Sequence, residues 1–467
     1  MPQWWTLYDY WGGYTGLLDP LGVPKVSAER LEEVKLLNSD VMLLAAQPDD
    51  ELSIPVTSPR LNLTYTSGQT MNTSLHLSNW GAADIKVALL RWRVESVTGP
   101  DGLAGRIICE GEAAVAIAAA HPNLTMLTNV SCVLPVLDAP NASTAPQLAL
   151  SLRLNATLSD AGGTALASNT WRARLFPNLM PEPVPKNRTV YAPHSLCSLL
   201  PVSNINCPPG GGLPSIGFTA SVKDVYIADY LDASLLEKAS QGATVMVFLD
   251  GSPQSIPFNN GDNGLVMLPS QAAFWKPSWW TGVRDGNYNQ GRVVYRNNSF
   301  LANFAPEGWA DESWFSLITG GADFLTDLLP APVEVLVRSV VTGCLLLGNA
   351  PGARGHIPTT GMSMLWQVGI QGTDQQTAGK EGGTLIVSGF NLLHSGNSWN
   401  SARTAVPHPE SAWMLRQLMQ YAYSRPVSKA KMSLTLERCN DCWPAVSVVL
   451  KATNKTNLTR VVAEPVL

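Results

Sequence analysis

WWTLYDYWGGYTGLLDPLGVPKVSAERLEEVKLL, residues 4–37, is the stretch on which the reading of the whole chain turns. An aromatic, β-prone run from Trp4 to Tyr10 gives way to a turn at Gly12 and Gly13. A polar loop then leads through Pro24 into a predicted amphipathic helix from about Ser27 to Leu37, with Leu31, Val34 and Leu37 at the spacing of one helical face. One strand and one helix bury too little apolar surface to stand alone, so this segment requires partner structure.

Beyond it, residues 41–178 change character. Short alternating apolar runs, Leu61 to Tyr65, Ser74 to Leu77, Lys86 to Val94 and Leu148 to Leu154, are separated by Gly, Pro, Asn and Asp clusters, which is the pattern of a β-sandwich. Trp80 and Trp92 offer either a sugar platform or packing between sheets, and packing is the commoner fate of tryptophan.

Residues 179–428 read as mixed α/β. Asp224 to Ala228 predicts a strand, Asp232 to Ser240 a helix and Ala243 to Leu249 a second strand, a βαβ unit that implies a parallel sheet. Further strands are expected at Arg292 to Tyr295, Glu334 to Val340, Met364 to Val368 and Thr384 to Val387. An amphipathic helix is expected from Pro409 to about Ser424, stopped by Pro426, and terminal strands from about Lys431, within residues 429–467.

Three parts of the chain resemble parts of glycoside hydrolase family 2, whose members include β-galactosidases, β-glucuronidases and β-mannosidases. The opening segment resembles the last βα unit and exit loop of its catalytic (β/α)8 barrel, where an aromatic-Asp pair is followed by a loop G-L-x-D-x-x-G-x-P-K; here these are Tyr8 and Asp9, then Gly16 to Lys25. LHLSNWGAADIKVALLRWRV, from Leu75, resembles the immunoglobulin-like domain after the barrel. FAPEGWADESWFSL from Phe304, SMLWQVGI from Ser363, GGTLIVSGFNL from Gly382 and HPESAWMLRQLMQYAYS from His408 resemble, in order, a glutamine-amidotransferase-like, flavodoxin-like parallel α/β accessory domain.

The implied organisation is a barrel remnant over residues 1–40, the sandwich, the α/β domain and the terminal strands. The resemblance implies a substrate side formed by Tyr8, Asp9, Trp11 and Tyr14, with Tyr8 where many members carry a sugar-contacting Trp. The Asn-x-Lys that marks β-glucuronidases is missing, which disfavours uronic acids; the resemblance implies β-linked glycosides, β-galactosides foremost, as the expected substrates of the full-length form. Retaining glycosidases use two carboxyl groups about 5 Å apart as acid/base and nucleophile. In this family both lie on barrel strands before the eighth, so the chain alone is expected to lack them. Asp9 and Asp19 are then structural acids that cap a loop or pair with a base.

Amidotransferases place a Cys nucleophile on a tight Gly-flanked elbow and use His-Pro-Glu as base and orienting carboxylate. Cys344, His408 and Glu410 supply the residue types, yet Cys344 lies in TGCLLLG, where Leu345 and Leu346 leave no small residue for the elbow. His408 and Glu410 also suit a helix start, where a carboxylate is favoured by the dipole. Trp275, Trp279 and Trp280 of FWKPSWWTGV, with Trp309 and Trp314, offer flat faces for pyranose stacking or else pin a loop to the sheet. That leaves a non-catalytic carbohydrate-binding or assembly module and an amidotransferase-like hydrolase as the other readings.

At 467 residues, 45% of them hydrophobic, the chain suits about three domains with real cores. A net charge of −5 and the lack of a basic run argue against a nucleic-acid partner. No apolar stretch is long enough for a membrane span, and no signal peptide is visible. The His residues lack metal-ligand spacing, Cys439 and Cys442 have no second half for zinc, and no cofactor or metal is expected. The expected partners are a carbohydrate substrate or ligand and, in the full-length form, a second copy of the chain in a homo-oligomer.

Asn-x-Ser/Thr triplets begin at Asn62, Asn72, Asn123, Asn129, Asn141, Asn155, Asn187, Asn297, Asn454 and Asn457, and their clustering suggests a glycoprotein of the secretory lumen or exterior. Cys109 with Cys132, Cys197 with Cys207, and Cys439 with Cys442 are close enough in sequence to pair, leaving Cys344 over; the competing reading is seven reduced thiols.

Overall fold

The computed structural model describes residues 17–25, 27–46, 64–81, 85–98, 104–117, 124–137, 149–178, 182–200, 202–208, 213, 219–249, 267–269, 292–295, 299–302, 304–305, 308–318, 321–326, 329, 332–339, 344–346, 356–358, 362–372, 382–392, 408–424, 426–428, 431–437 and 449–452. The chain divides into two units, one holding residues up to Asp138 together with Ala149–Pro177, the other holding the chain from Asn178 on.

The first unit begins with helix α1 (Ala28–Leu37), followed by β1 (Val41–Ala46), β2 (Thr64–Thr66), β3 (Thr70–Asn79), β4 (Ile85–Thr98), β5 (Ile107–Ile117), β6 (Leu124–Val133), β7 (Leu150–Asp160) and β8 (Ala165–Phe176). They form a three-stranded sheet, β1-β3-β6, and a five-stranded sheet, β2-β8-β7-β4-β5, antiparallel except where β2 meets β8. Alternation drives the arrangement. Leu75 and Leu77 of β3, Leu90 and Val94 of β4, and Leu150, Leu152, Leu154 and Leu158 of β7 point into one shared core with Leu43. The intervening residues of the larger sheet form a polar outer lattice in which Arg91 opposes Glu112 at 3.4 Å and Arg93 reaches Glu95 at 3.2 Å.

Among the described residues a hydrogen bond and a disulfide tie the sheets together. The Asn169 amide of β8 donates to the Leu43 carbonyl of β1 at 2.9 Å. A disulfide joins Cys109 on β5 to Cys132 on β6.

The second unit contains β9 (Glu182–Pro183), β10 (Thr189–Tyr191), α2 (His194–Cys197), β11 (Val202–Ser203), β12 (Asp224–Ala228), α3 (Ala233–Ser240), β13 (Thr244–Phe248), β14 (Met267–Pro269) and β15 (Arg292–Val294). There follow α4 (Ser299–Ala302), α5 (Phe315–Ile318), β16 (Ala322–Leu325), β17 (Glu334–Ser339), β18 (Cys344–Leu346), β19 (His356–Pro358), β20 (Met362–Gly372), β21 (Thr384–Ser388), α6 (Pro409–Tyr423), β22 (Lys431–Glu437) and β23 (Val449–Ala452).

The βαβ unit expected at residues 224–249 is β12-α3-β13, with Asp232 capping α3 by accepting from the Leu235 N–H at 2.9 Å. Leu231, Leu235, Leu236 and Ala239 pack on Tyr226, Ala228, Val245, Val247 and Val387. The parallel, flavodoxin-like sheet expected here is present in part, within a mixed sheet. Strands β10, β12, β13 and β21 are parallel, but β20 runs antiparallel to β21, β16 and β17. β20 and β21 are neighbours in both sequence and space, so the return needs no crossover helix and the strands reverse direction. The terminal strands extend this same sheet, β22 lying parallel to β20.

Candidate functional site

The loop that carries the resemblance is folded around one carboxylate. Oδ1 of Asp19 accepts from the Leu21 N–H at 2.9 Å and the Val23 N–H at 2.8 Å, while the Asp19 N–H donates to the Val23 carbonyl. Gly22 takes φ +84°, a region open to glycine, and Leu18 bridges Pro24. The turn delivers the chain to α1, on which Leu31 and Val34 are half-buried and Leu36 is exposed. Asn38 closes the helix by donating to the Val34 carbonyl at 2.8 Å. Asp19 is a loop-organising acid. Tyr8, Asp9, Trp11 and Tyr14 lie outside the described residues.

In the second unit the start of α6 brings chemistry-bearing residues to the end of β21. His408 is the N-cap residue and exposed, Pro409 opens the helix, and Glu410 is 3% exposed and accepts from the Ser316 hydroxyl of α5. Ser411 donates to the Asn391 carbonyl, in the turn after β21, at 3.4 Å. Around them Phe304 packs on Trp314 and Trp413, and Trp314 meets Phe390 edge-on. The helix N-terminus favours the Glu410 carboxylate there. Cys344 lies in β18, a two-stranded hairpin with β19 apart from the main sheet, rather than on a turn between a sheet strand and a helix; its side chain lies outside the described residues.

A second polar network crosses from sheet to helix. The Gln367 amide of β20 donates to Glu334 of β17 at 3.0 Å, Ser428 donates to the same Glu334 oxygen at 3.1 Å, and the Tyr421 hydroxyl donates to Gln367 at 2.8 Å. Burial pushes the Tyr421 phenol up to about 12, the bond to Gln367 opposing the shift. Nothing in the sequence pattern flags these residues, because they sit on different elements and meet only in the fold.

The tryptophans separate into three groups. Trp92 packs inward on its cross-strand neighbour Gly111, and Trp314 is fully buried. Trp80 and Trp309 are 59% and 55% exposed, Trp309 bridging Val293. Trp275, Trp279 and Trp280 lie outside the described residues.

Of the triplet asparagines, Asn72, Asn129 and Asn187 are exposed, and Asn155 is half-buried. Asn62, Asn123, Asn141, Asn297, Asn454 and Asn457 lie outside the described residues. Disulfides join Cys109 to Cys132 and Cys197 to Cys207, compatible with an extracellular protein, while Cys439 and Cys442 lie outside. Among the described residues no three His, Cys, Asp or Glu side chains gather as a metal site, and no helix is long and apolar enough to cross a membrane.

No family model matches the chain, and no curated protein matches it. Solved structures give partial likenesses. The CARDB domain of a Pyrococcus furiosus protein is 11% identical over 29% of this chain and 84% of that one, with a TM-score of 0.17. The sporulation control protein Spo0M of Bacillus subtilis is 14% identical over 30% of this chain and 51% of that one, TM-score 0.19. β-Glucuronidase 2 of Bacteroides uniformis is 12% identical; the match covers 46% of this chain and 25% of the enzyme, TM-score 0.19. At such scores none of them carries an argument about this chain.

Proposed function

We propose that this chain is the C-terminal part of a β-glycosidase resembling glycoside hydrolase family 2, acting on β-galactosides, and that its sandwich and α/β units support the bond-cleaving barrel rather than cleave bonds themselves. The observation that carries this reading is the turn at Asp19. The residues that match the family's barrel exit, Gly16 to Lys25, include a loop closed by that carboxylate and by Gly22 and leading into a helix. Oδ1 of Asp19 is already committed to two backbone N–H groups, so this acid is a poor acid/base or nucleophile. The acid pair then belongs to other barrel strands, and Tyr8, Asp9, Trp11 and Tyr14 form the edge of the substrate side.

Sequencing the transcript upstream of the Met1 codon tests this. An in-frame Asn-Glu strand followed by a second Glu strand is expected; an in-frame stop with neither contradicts the reading.

The exposed indole of Trp309 favours a second reading, a non-catalytic carbohydrate-binding module. W309A then lowers binding of β-linked galacto-oligosaccharides at least tenfold in calorimetry, an effect of about 1.4 kcal/mol, in the range expected for loss of a stacked aromatic ring. Unchanged binding removes that reading.

A further inference from the structure

We propose that Asn72 and Asn129 both carry N-linked glycans, and that these cover the apolar outer surface of edge strand β6. The two triplets, Asn72-Thr73-Ser74 and Asn129-Val130-Ser131, pair with each other: Asn72 stands opposite Ser131, Thr73 opposite Val130, and Ser74 opposite Asn129. Thr73 and Val130 point into the core, while Asn72, Asn129 and Ser131 are exposed on the outer face. The asparagines are therefore diagonal neighbours, about 7 Å apart in an antiparallel pair.

That face has a liability. Among the described residues β6 is an edge of its sheet, bonded to β3. It exposes Leu124 by 39%, Met126 by 56% and Val133 by 71%, and Val136 just beyond it by 72%. The register shift at Leu75 and His76 keeps Leu124 and Met126 on the side that carries Asn129. An apolar edge strand is a template for pairing with another chain. Sugar on Asn129, between Met126 and Val133, and on Asn72 beside it would shield that edge. Cys132 of the same strand is in a disulfide, as expected of the compartment in which such transfer occurs.

The donor is an oligosaccharide linked to a lipid pyrophosphate. The Asn Nδ2 attacks C1 of the first sugar, the C1–N bond forms as the bond from C1 to the pyrophosphate oxygen breaks, and the amide proton leaves with the lipid pyrophosphate. In the folded chain Ser74 is buried and donates to the Ala46 carbonyl at 3.1 Å. Transfer to Asn72 therefore precedes the pairing of β1 with β3.

Asn155 is the contrast. Its amide donates to Glu95 at 2.8 Å, its carbonyl accepts from the Thr170 hydroxyl at 2.9 Å, and it lies on the central strand of the five-stranded sheet. A glycan there would break into the polar lattice and keep the chain from folding, so the folded, secreted protein carries none at Asn155.

The test is secretion of the full chain from a eukaryotic host behind a cleavable leader, followed by amidase release of glycans in heavy-oxygen water and peptide mapping. Label at Asn72 and Asn129, and none at Asn155, is expected. Native enzymatic removal of the glycans, checked by intact mass, is then expected to raise the self-associated fraction several-fold in sedimentation, and M126K with V133K to restore the monodisperse species. The N72Q/N129Q double variant should behave like the stripped protein and N187Q like the wild type. Unlabelled Asn72 or Asn129, labelled Asn155, or a stripped protein that stays monodisperse overturns the proposal. Native stripping keeps the test open if the double variant fails to fold.

Discussion

Gly389 and Ala322 lie backbone to backbone: the Ala322 N–H donates to the Gly389 carbonyl at 2.7 Å, and a Cβ placed on Gly389 would stand 2.0 Å from the Ala322 carbonyl oxygen. No side chain fits there. G389A should destabilise the second unit by about 3 kcal/mol or more, since backbone, unlike a side chain, cannot move aside. Urea unfolding followed by Trp fluorescence measures it; an unchanged midpoint would show that β21 and β16 are not so closely apposed.

This packing also explains why GGTLIVSGF was legible. Gly382, Gly383 and Gly389 bracket β21 because a Cβ at each would clash with the backbone of Ile370, Ala243 or Ala322. The apolar run between them is fully buried, and such runs read as strands. Direction was not legible: nothing in Met362–Gly372 tells whether it lies parallel or antiparallel to β21, because strand polarity is set by the route of the connection. The polar network of Glu334, Gln367, Tyr421 and Ser428 stayed hidden for a related reason, since hydrogen-bonded side chains from distant segments leave no periodic mark. Asp19, by contrast, sits in a turn whose Asp, Pro and Gly spacing announces a loop cap.

The Cys109–Cys132 bond spans a sequence separation of 23 and joins the two sheets of the sandwich. Replacing both cysteines by serine should lower the stability of the first unit by about 2–4 kcal/mol, chiefly by freeing the unfolded chain. Urea midpoints with and without reductant give the same comparison. Coincident midpoints would mean that the disulfide adds nothing to the apolar core and the Asn169 bond in holding the sheets.

Burial raises the phenols of Tyr65 and Tyr421 to about 12, and those of Tyr226 and Tyr423 further still. Above pH 10 the unfolded chain loses these protons before the folded one does, so stability is fully present below pH 10 and declines as pH rises from about 10 to 12. Each of Tyr65 and Tyr421 contributes a fall of roughly 2 kcal/mol across that window. Tyrosinate absorbance should then show a delayed class of phenols released at unfolding. Titration of every phenol near pH 10 in native protein would contradict the burial.

Removing the Asp19 carboxylate takes away the acceptor of two backbone N–H groups, those of Leu21 and Val23. D19A should destabilise the loop by about 1 kcal/mol, the usual cost of losing such a cap. Hydrogen exchange at the Leu21 and Val23 amides should quicken accordingly, and unchanged protection there would show that Gly22 alone sets the turn.

Hydrolysis of chromogenic β-galactosides by the purified chain bears most directly on the division of labour proposed for it. No turnover above the buffer blank is expected, with the wild type, D9N and D19N indistinguishable. Turnover that D9N or D19N abolishes would place the reactive acids in this segment and contradict the account.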